Sequence, residues 1–139
     1  MNKMTPKIYF LISIVVFLVA CSNKTTRPTT SLDTGRAFIK ASLNGDFATA
    51  ESLLSADSQN IQLFIAYKDY YSRMPDDKKQ HYKNASYEIN KFDEINDSTV
   101  IINYSNDYMN KPMSIKIIKL NGIWSVDFKY VYSGNLPIN

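Results

Sequence analysis

The stretch Met113-Ser114-Ile115-Lys116-Ile117-Ile118-Lys119-Leu120-Asn121-Gly122-Ile123-Trp124-Ser125-Val126-Asp127-Phe128 decides the fold of this 139-residue chain. Asn121-Gly122 lies between two β-rich runs, and Asn-Gly in that setting is the strongest short hairpin signal. Counting outward from a two-residue turn sets Leu120 against Ile123, Lys119 against Trp124 and Ile117 against Val126. The same count sets Ile115 against Phe128 and Met113 against Tyr130. All but the first of these pairs share one face. On the other face Lys116 meets Asp127, a cross-strand ion pair. A slip of one residue would destroy both the apolar and the charge match.

Two more strands precede this hairpin. Tyr87 and Ile89 alternate with Glu88 and Asn90, Asn96-Asp97 makes a turn, and Val100, Ile102 and Tyr104 share one face of the next run. A polar loop from Ser105 to Lys111 leads into the third strand near Pro112.

Upstream the period is helical. A first helix is predicted from about Asp33, its N-cap, to Asn44, with Phe38 and Ala41 on one face and Gly45 as its stop. Asp46 caps a second, short helix with Phe47, Ala50 and Leu54 on one face. Asp57 or Ser58 opens a third, longer helix whose stripe is Ile61, Phe64, Ile65 and Tyr71. Met74-Pro75 ends it, because a residue before proline avoids the helical region. Asp76-Asp77-Lys78-Lys79 reads as one more helical turn. Helical stripes and the apolar sheet face need each other for burial. The fold class is therefore α+β, with N-terminal helices packed on a four-strand antiparallel meander.

The N-terminus has a different character. Lys3 and Lys7 precede an apolar run of 13 residues, Ile8 to Ala20, and the polar segment Ser22 to Thr30 follows it. This is the layout of a secretory signal. A membrane span needs about 20 apolar residues, so the run is too short for one. Leu18-Val19-Ala20-Cys21 resembles the lipobox of bacterial lipoproteins. That resemblance implies a diacylglyceryl group on the Cys21 thiol and cleavage before it. Ordinary signal cleavage is the alternative, and it would leave a lone thiol at the mature N-terminus. The organisation is then a signal peptide over 1–20, a lipidated cysteine and flexible tether over 21–32, a domain over 33–132 and a tail over 133–139. Ser22 in place of an aspartate resembles the outer-membrane sorting rule. The absence of an acidic run after Cys21 leans toward a protein that faces the periplasm.

Of the sixteen basic residues, Lys3 and Lys7 belong to the leader, so fourteen remain against thirteen acidic ones. A net charge near +1 is no footprint for nucleic acid. Cys21 is the only cysteine, which excludes an internal disulfide. Stability must come from a core, to which ten tyrosines, seven phenylalanines and one tryptophan contribute.

The run Phe38-Ile39-Lys40-Ala41-Ser42-Leu43-Asn44-Gly45-Asp46-Phe47-Ala48-Thr49-Ala50 is similar to the opening of many nuclear transport factor 2-like domains. Lys119 to Asp127 is similar to their final hairpin. Within that cystatin-like superfamily the chain most resembles the bacterial lipoprotein group called domain of unknown function 4878. The likeness covers about residues 33–132. It implies a cone in which a curved sheet wraps a long helix. In steroid isomerases of this superfamily an aspartate and a tyrosine act inside the cone. No position here matches them, so the resemblance transfers no catalytic residue.

Chemistry-bearing motifs are sparse. His81, the only histidine, falls in the charged run Lys78-Lys79-Gln80-His81 and reads as solvated. A metal site needs several ligands at defined spacing. No such set occurs, and no phosphate loop or nucleophile elbow is present. No cofactor is expected. Asp76-Asp77 and Asp93-Glu94 read as helix-start and turn residues. No strand residue on the expected core face is acidic, which argues against an isomerase or hydrolase.

The expected walls of the cone are Phe64, Ile102, Tyr104, Ile115, Ile117, Val126, Phe128 and Tyr130. They either close into a solid core or leave a cleft for a small apolar ligand. Two surfaces are candidates for an envelope protein partner. One is Tyr67, Tyr70 and Tyr71, for which core packing is the plainer account. The other is the outer sheet patch of Ile118, Leu120 and Ile123. The sequence thus reads as a lipid-anchored, non-catalytic binding module of the cell envelope.

Overall fold

The computed structural model describes residues 26–108 and 111–132. The signal run, Cys21 and the tail over 133–139 lie outside them. Helix α1, Ser31–Asn44, starts two residues before the expected Asp33. Thr30 is the cap: its hydroxyl accepts the Asp33 N–H at 3.1 Å and donates to the Asp33 carboxylate at 2.8 Å. Asp33 instead lies in the first turn, where a carboxylate complements the helix dipole. Gly45, at φ +73°, ends α1 as expected. Asp46 accepts the Thr49 N–H at 3.2 Å and caps α2, Phe47–Ser52. Asp57 accepts the Asn60 N–H at 3.0 Å and caps α3, Ser58–Ser72.

Helix α4, Asp76–Asn84, is nine residues long rather than the single turn expected. Two acids open it, and His81 and Lys83 occupy its last turn, so both ends suit the dipole. Two positions of the expected helical stripes are corrected. Ile65 is 46% exposed, and Leu54 is buried beyond the end of α2.

The sheet runs β1 (Tyr87–Asn96), β2 (Thr99–Asn106), β3 (Met113–Leu120) and β4 (Ile123–Asp127), antiparallel and in sequence order. The chain is therefore α+β, with helices followed by a four-strand meander. Asn121 and Gly122 both have positive φ, 51° and 80°, as a type I′ turn requires. The counted register holds for Leu120 with Ile123, Lys119 with Trp124, Ile117 with Val126 and Lys116 with Asp127.

Past Asp127 the expectation fails. Ile115 does not pair with Phe128, nor Met113 with Tyr130, because Phe128–Tyr132 forms α5. Asn60 Oδ1 accepts the Lys129 N–H at 2.9 Å, which takes that donor out of any strand ladder. Phe128 turns inward and packs edge-on against Phe64, with ring centroids 5.2 Å apart.

Strand β1 carries two register shifts, between Ile89 and Lys91 and between Glu94 and Asn96. Such bulges bend a strand and raise its twist. The first shift moves the inward face onto Phe92, opposite Ile102, and Glu94, opposite Val100. An acidic residue thus does fall on the core-facing register, contrary to expectation, although Glu94 is exposed there. The core lies between α1, α3, α5 and the inner face of β2–β4. Phe38, Ile39, Phe64, Ile102, Ile115 and Ile117 are among its members. Gly35 lets α1 approach the sheet closely: a Cβ there would lie 2.3 Å from Ile102 Cδ1.

The outer edge of β4 is partly covered. Val126 donates to the Leu53 carbonyl at 2.8 Å, and Ser55 donates to the Val126 carbonyl at 2.9 Å. The docked part of the chain also begins earlier than residue 33. The Arg27 guanidinium donates to the Ser52 carbonyl, to Ser125 Oγ at 2.9 Å and to the Trp124 carbonyl at 3.3 Å.

Candidate functional site: a tyrosine-bearing end and an outer sheet face

Seven of the eight residues expected to wall the cone belong to one buried cluster: Phe64, Ile102, Tyr104, Ile115, Ile117, Val126 and Phe128. Tyr130 is not a member of that cluster and is half-buried on α5. Tyr104 is 4% exposed, and its hydroxyl donates to Met113 Sδ at 3.6 Å. A thioether is a weak acceptor. Burial, reinforced by Tyr67 and Tyr82 nearby, pushes the Tyr104 phenol far above its ordinary range.

Tyr67, Tyr70 and Tyr71 do not form one surface. Tyr67 packs its ring against Phe47, Phe64 and Phe128, with centroids 5.8 to 5.9 Å away. Tyr71 packs edge-on to Phe47 at 4.9 Å, and its hydroxyl oxygen would be 3.0 Å from a Cβ at Gly45. Only Tyr70 is freely presented, at 51% exposure.

The structure instead joins His81 and Tyr104 to tyrosines that carried no site role in the sequence reading, Tyr82, Tyr108 and Tyr87. Tyr82 on α4 meets Tyr108 edge-on at 4.8 Å, and His81 stacks on the other flank of Tyr108 at 4.9 Å with planes 9° apart. Tyr87 meets Tyr104 at 6.4 Å. Burial raises the Tyr67 phenol beyond its ordinary range, with Tyr71, Tyr82 and Tyr70 adding to it. Burial likewise raises Tyr82, with Tyr70 and Tyr108 adding. The ring contacts join Tyr82 and His81 of α4 to Tyr108 after β2, and Tyr87 of β1 to Tyr104 of β2. Burial there is graded: Tyr104 lies in the core, Tyr67, Tyr82 and Tyr108 are half-buried, and Tyr70 and His81 face solvent. Neutral phenols with rings at a surface suit stacking and hydrogen bonding rather than acid–base work. Only the adjacency of His81 and Tyr82 was visible in sequence. The Tyr108 loop contact was not.

The outer sheet face has two halves. Towards the start of β3 it is polar: Asn90 Nδ2 donates to Asn103 Oδ1 at 3.0 Å, and Asn103 Nδ2 donates to Ser114 Oγ at 2.9 Å. Lys116 and Asp127 follow at 3.5 Å. Towards the Asn121-Gly122 turn it is apolar. Ile118 is half-buried opposite Ser125, while Leu120 and Ile123 are 53% and 50% exposed. Ile118, Leu120 and Ile123 share that half of the face, and Arg27 bonds to Ser125 beside them.

Among the described residues, no group of three or more His, Cys, Asp or Glu side chains could hold a metal ion. No helix among them is long and apolar enough to cross a membrane. No protein-family model matches the chain, and no curated protein or solved structure is significantly similar to it.

Proposed function

We propose that this chain is a bacterial envelope lipoprotein, anchored through Cys21 and facing the periplasm, whose domain is a non-catalytic binding module. The domain is read as a nuclear transport factor 2-like cone. The bulges of β1, the long α3 and the closing hairpin favour that reading. The observation that carries the binding role is the tyrosine-bearing end. Tyr70 and His81 face solvent, Tyr82, Tyr108 and Tyr67 are half-buried, and Tyr104 lies in the core. Aromatic rings with polar tips are enriched at recognition surfaces. An envelope protein is the proposed partner. The packed cluster of the expected pocket walls weighs against a deep apolar ligand site.

Two measurements test this reading. Metabolic labelling with a fatty acid analogue should mark the wild type and not Cys21→Ser. A photo-crosslinking residue at Tyr70 or Tyr108 should capture a discrete envelope protein, whereas one at exposed Lys40 on α1 should not. Crosslinks that are equal at all three positions would remove the tyrosine end as the binding surface. Co-purification of a small apolar molecule in native mass spectrometry would favour the ligand-pocket reading instead.

A further inference from the structure

Resting on the lipid-anchor reading, we infer that the β3–β4 hairpin tip docks into the bilayer that carries the anchor, through Leu120 and Ile123. The length of the leash is the first ground. Three hydrogen bonds hold the Arg27 guanidinium against Ser52, Trp124 and Ser125. Only five residues, Ser22 to Thr26, then lie between Cys21 and the docked Arg27, which is six steps of chain. Six steps reach at most about 20 Å even when fully extended. The domain cannot stand off by the full 21–32 segment, because the second half of that segment, from Arg27 on, belongs to the domain.

The second ground is what faces the leash. Ser125, to which Arg27 bonds, lies on the outer face with Ile123, two residues away and so roughly 7 Å along the strand. Ile123 pairs with Leu120, and both are about half exposed. The turn between them projects freely, since nothing lies within 4 Å of a Cβ built at Gly122. Lys119 and Trp124 pair behind them, on the inner face of the hairpin, with Lys119 Nζ 5.4 Å from the Trp124 ring centroid and Trp124 packed against the core. Two half-exposed aliphatic side chains at a projecting turn can bury apolar area at the membrane interface without displacing a packed group. The far half of the same face is the Asn90–Asn103–Ser114 ladder, which has no reason to leave water.

The third ground decides between lipid and protein. Two aliphatic side chains fall well short of the roughly 1,000 Å² that a stable protein interface buries. A weak apolar contact is enough when a short leash holds it at high effective concentration, and the anchor supplies that condition for lipid. Glu94 and Asp97 are exposed near the same end of the sheet, so the dock should not require anionic lipid.

Trp124 is the only tryptophan and reports on the tip directly. The experiment reconstitutes the full lipidated protein into phosphatidylcholine vesicles with or without bromine on the upper acyl chain. Emission from Trp124 should fall about twofold in the brominated vesicles. In Leu120→Asp, Ile123→Asp the loss should vanish, with the fatty acid label on Cys21 and the circular dichroism spectrum retained. Equal emission of labelled wild type in both vesicles overturns the dock and leaves the anchor intact. That comparison needs no variant to fold. Quenching that appears only with an anionic lipid, or a tip shielded only by added envelope protein, also overturns it. Absence of label on Cys21 removes the anchor and the inference with it.

Discussion

The backbone N–H of Lys129 donates to the side-chain oxygen of Asn60 at 2.9 Å, across 69 positions of sequence. Asn60 is fully buried and spends its amide nitrogen on Asp57 Oδ2 at 2.7 Å and the Ser55 carbonyl at 3.4 Å. One side chain thus ties the start of α3 to the end of β4 and sets where the strand becomes α5. Asn60→Ala should cost about 1–3 kcal/mol, because it leaves the Lys129 N–H without its acceptor and removes the bond to Asp57, while the Ser55 carbonyl keeps the Asp57 N–H. Urea denaturation measures this. A loss under about 0.5 kcal/mol would mean that α5 holds its place without the amide.

Asp57 beside Asn60 governs the acid side of the stability curve. Its carboxylate is held below the ordinary 3.8 by the Asn60 N–H first and by Lys129 second. Asp46 is lowered likewise by its hydrogen bonds from Thr49. A depressed carboxylate contributes stability that is present above its unfolded pKa and is lost as pH falls through the folded one. Stability should therefore be flat from neutral pH down to about pH 4 and decline below it. Asp57→Asn should shallow that decline while lowering the neutral plateau. Lys129 is raised above 10.5, chiefly by its hydrogen bond to Asp57, so its contribution is lost only at strongly alkaline pH. Denaturant midpoints at pH 3, 4, 5 and 7 for wild type and Asp57→Asn decide this. Parallel curves would show that the cap carries none of the acid response.

Gly122 is required for its backbone and not for space. Its φ is +80°, and a Cβ there would touch nothing. Gly122→Val should cost about 1–3 kcal/mol, the range for a residue forced into a sparsely populated conformation. Gly122→Asn should cost much less, since asparagine tolerates the left-handed region. Thermal melts of the two variants should therefore separate. Coincident melts would mean that the turn relaxes into another type.

What was legible in the sequence is local. Asp46, Asp57 and Gly45 act within four residues of where they stand, and the Asn121-Gly122 turn fixes a register by counting. What was not legible depends on contacts between distant segments. Phe128 continues a β-rich run by composition, but in the fold it packs on Phe38, Phe64 and Tyr67 while Asn60 takes the next N–H. The first bulge of β1 turns Phe92 and Glu94 inward, where plain alternation from Ile89 would turn Lys91 and Asp93. Arg27 sits in a segment with the composition of a linker, and its partners are 25 to 98 positions away. The tyrosine end has the same cause: Tyr108 comes from a polar loop and meets His81 and Tyr82 only in the folded chain.

Gly35 and Ile102 offer the sharpest test of the helix–sheet packing. Gly35 is buried in α1 at an ordinary helical φ, so the backbone would accept alanine. Propensity alone would then favour Gly35→Ala by about 1 kcal/mol. The new methyl, however, would lie 2.3 Å from Ile102 Cδ1, and Ile102 is fully buried. Overpacking of this kind costs about 1–3 kcal/mol, so the net effect should be a loss. Ile102→Val removes that Cδ1 and alone should cost about 0.5–1.5 kcal/mol. In the double variant the added methyl would occupy the space the removed one leaves. The pair should therefore be more stable than the sum of the singles by about 1 kcal/mol or more, a coupling that a double-mutant cycle reads directly. Additive losses would mean that α1 shifts away from the sheet instead of pressing on Ile102, and the close approach of α1 would then not be fixed by this contact.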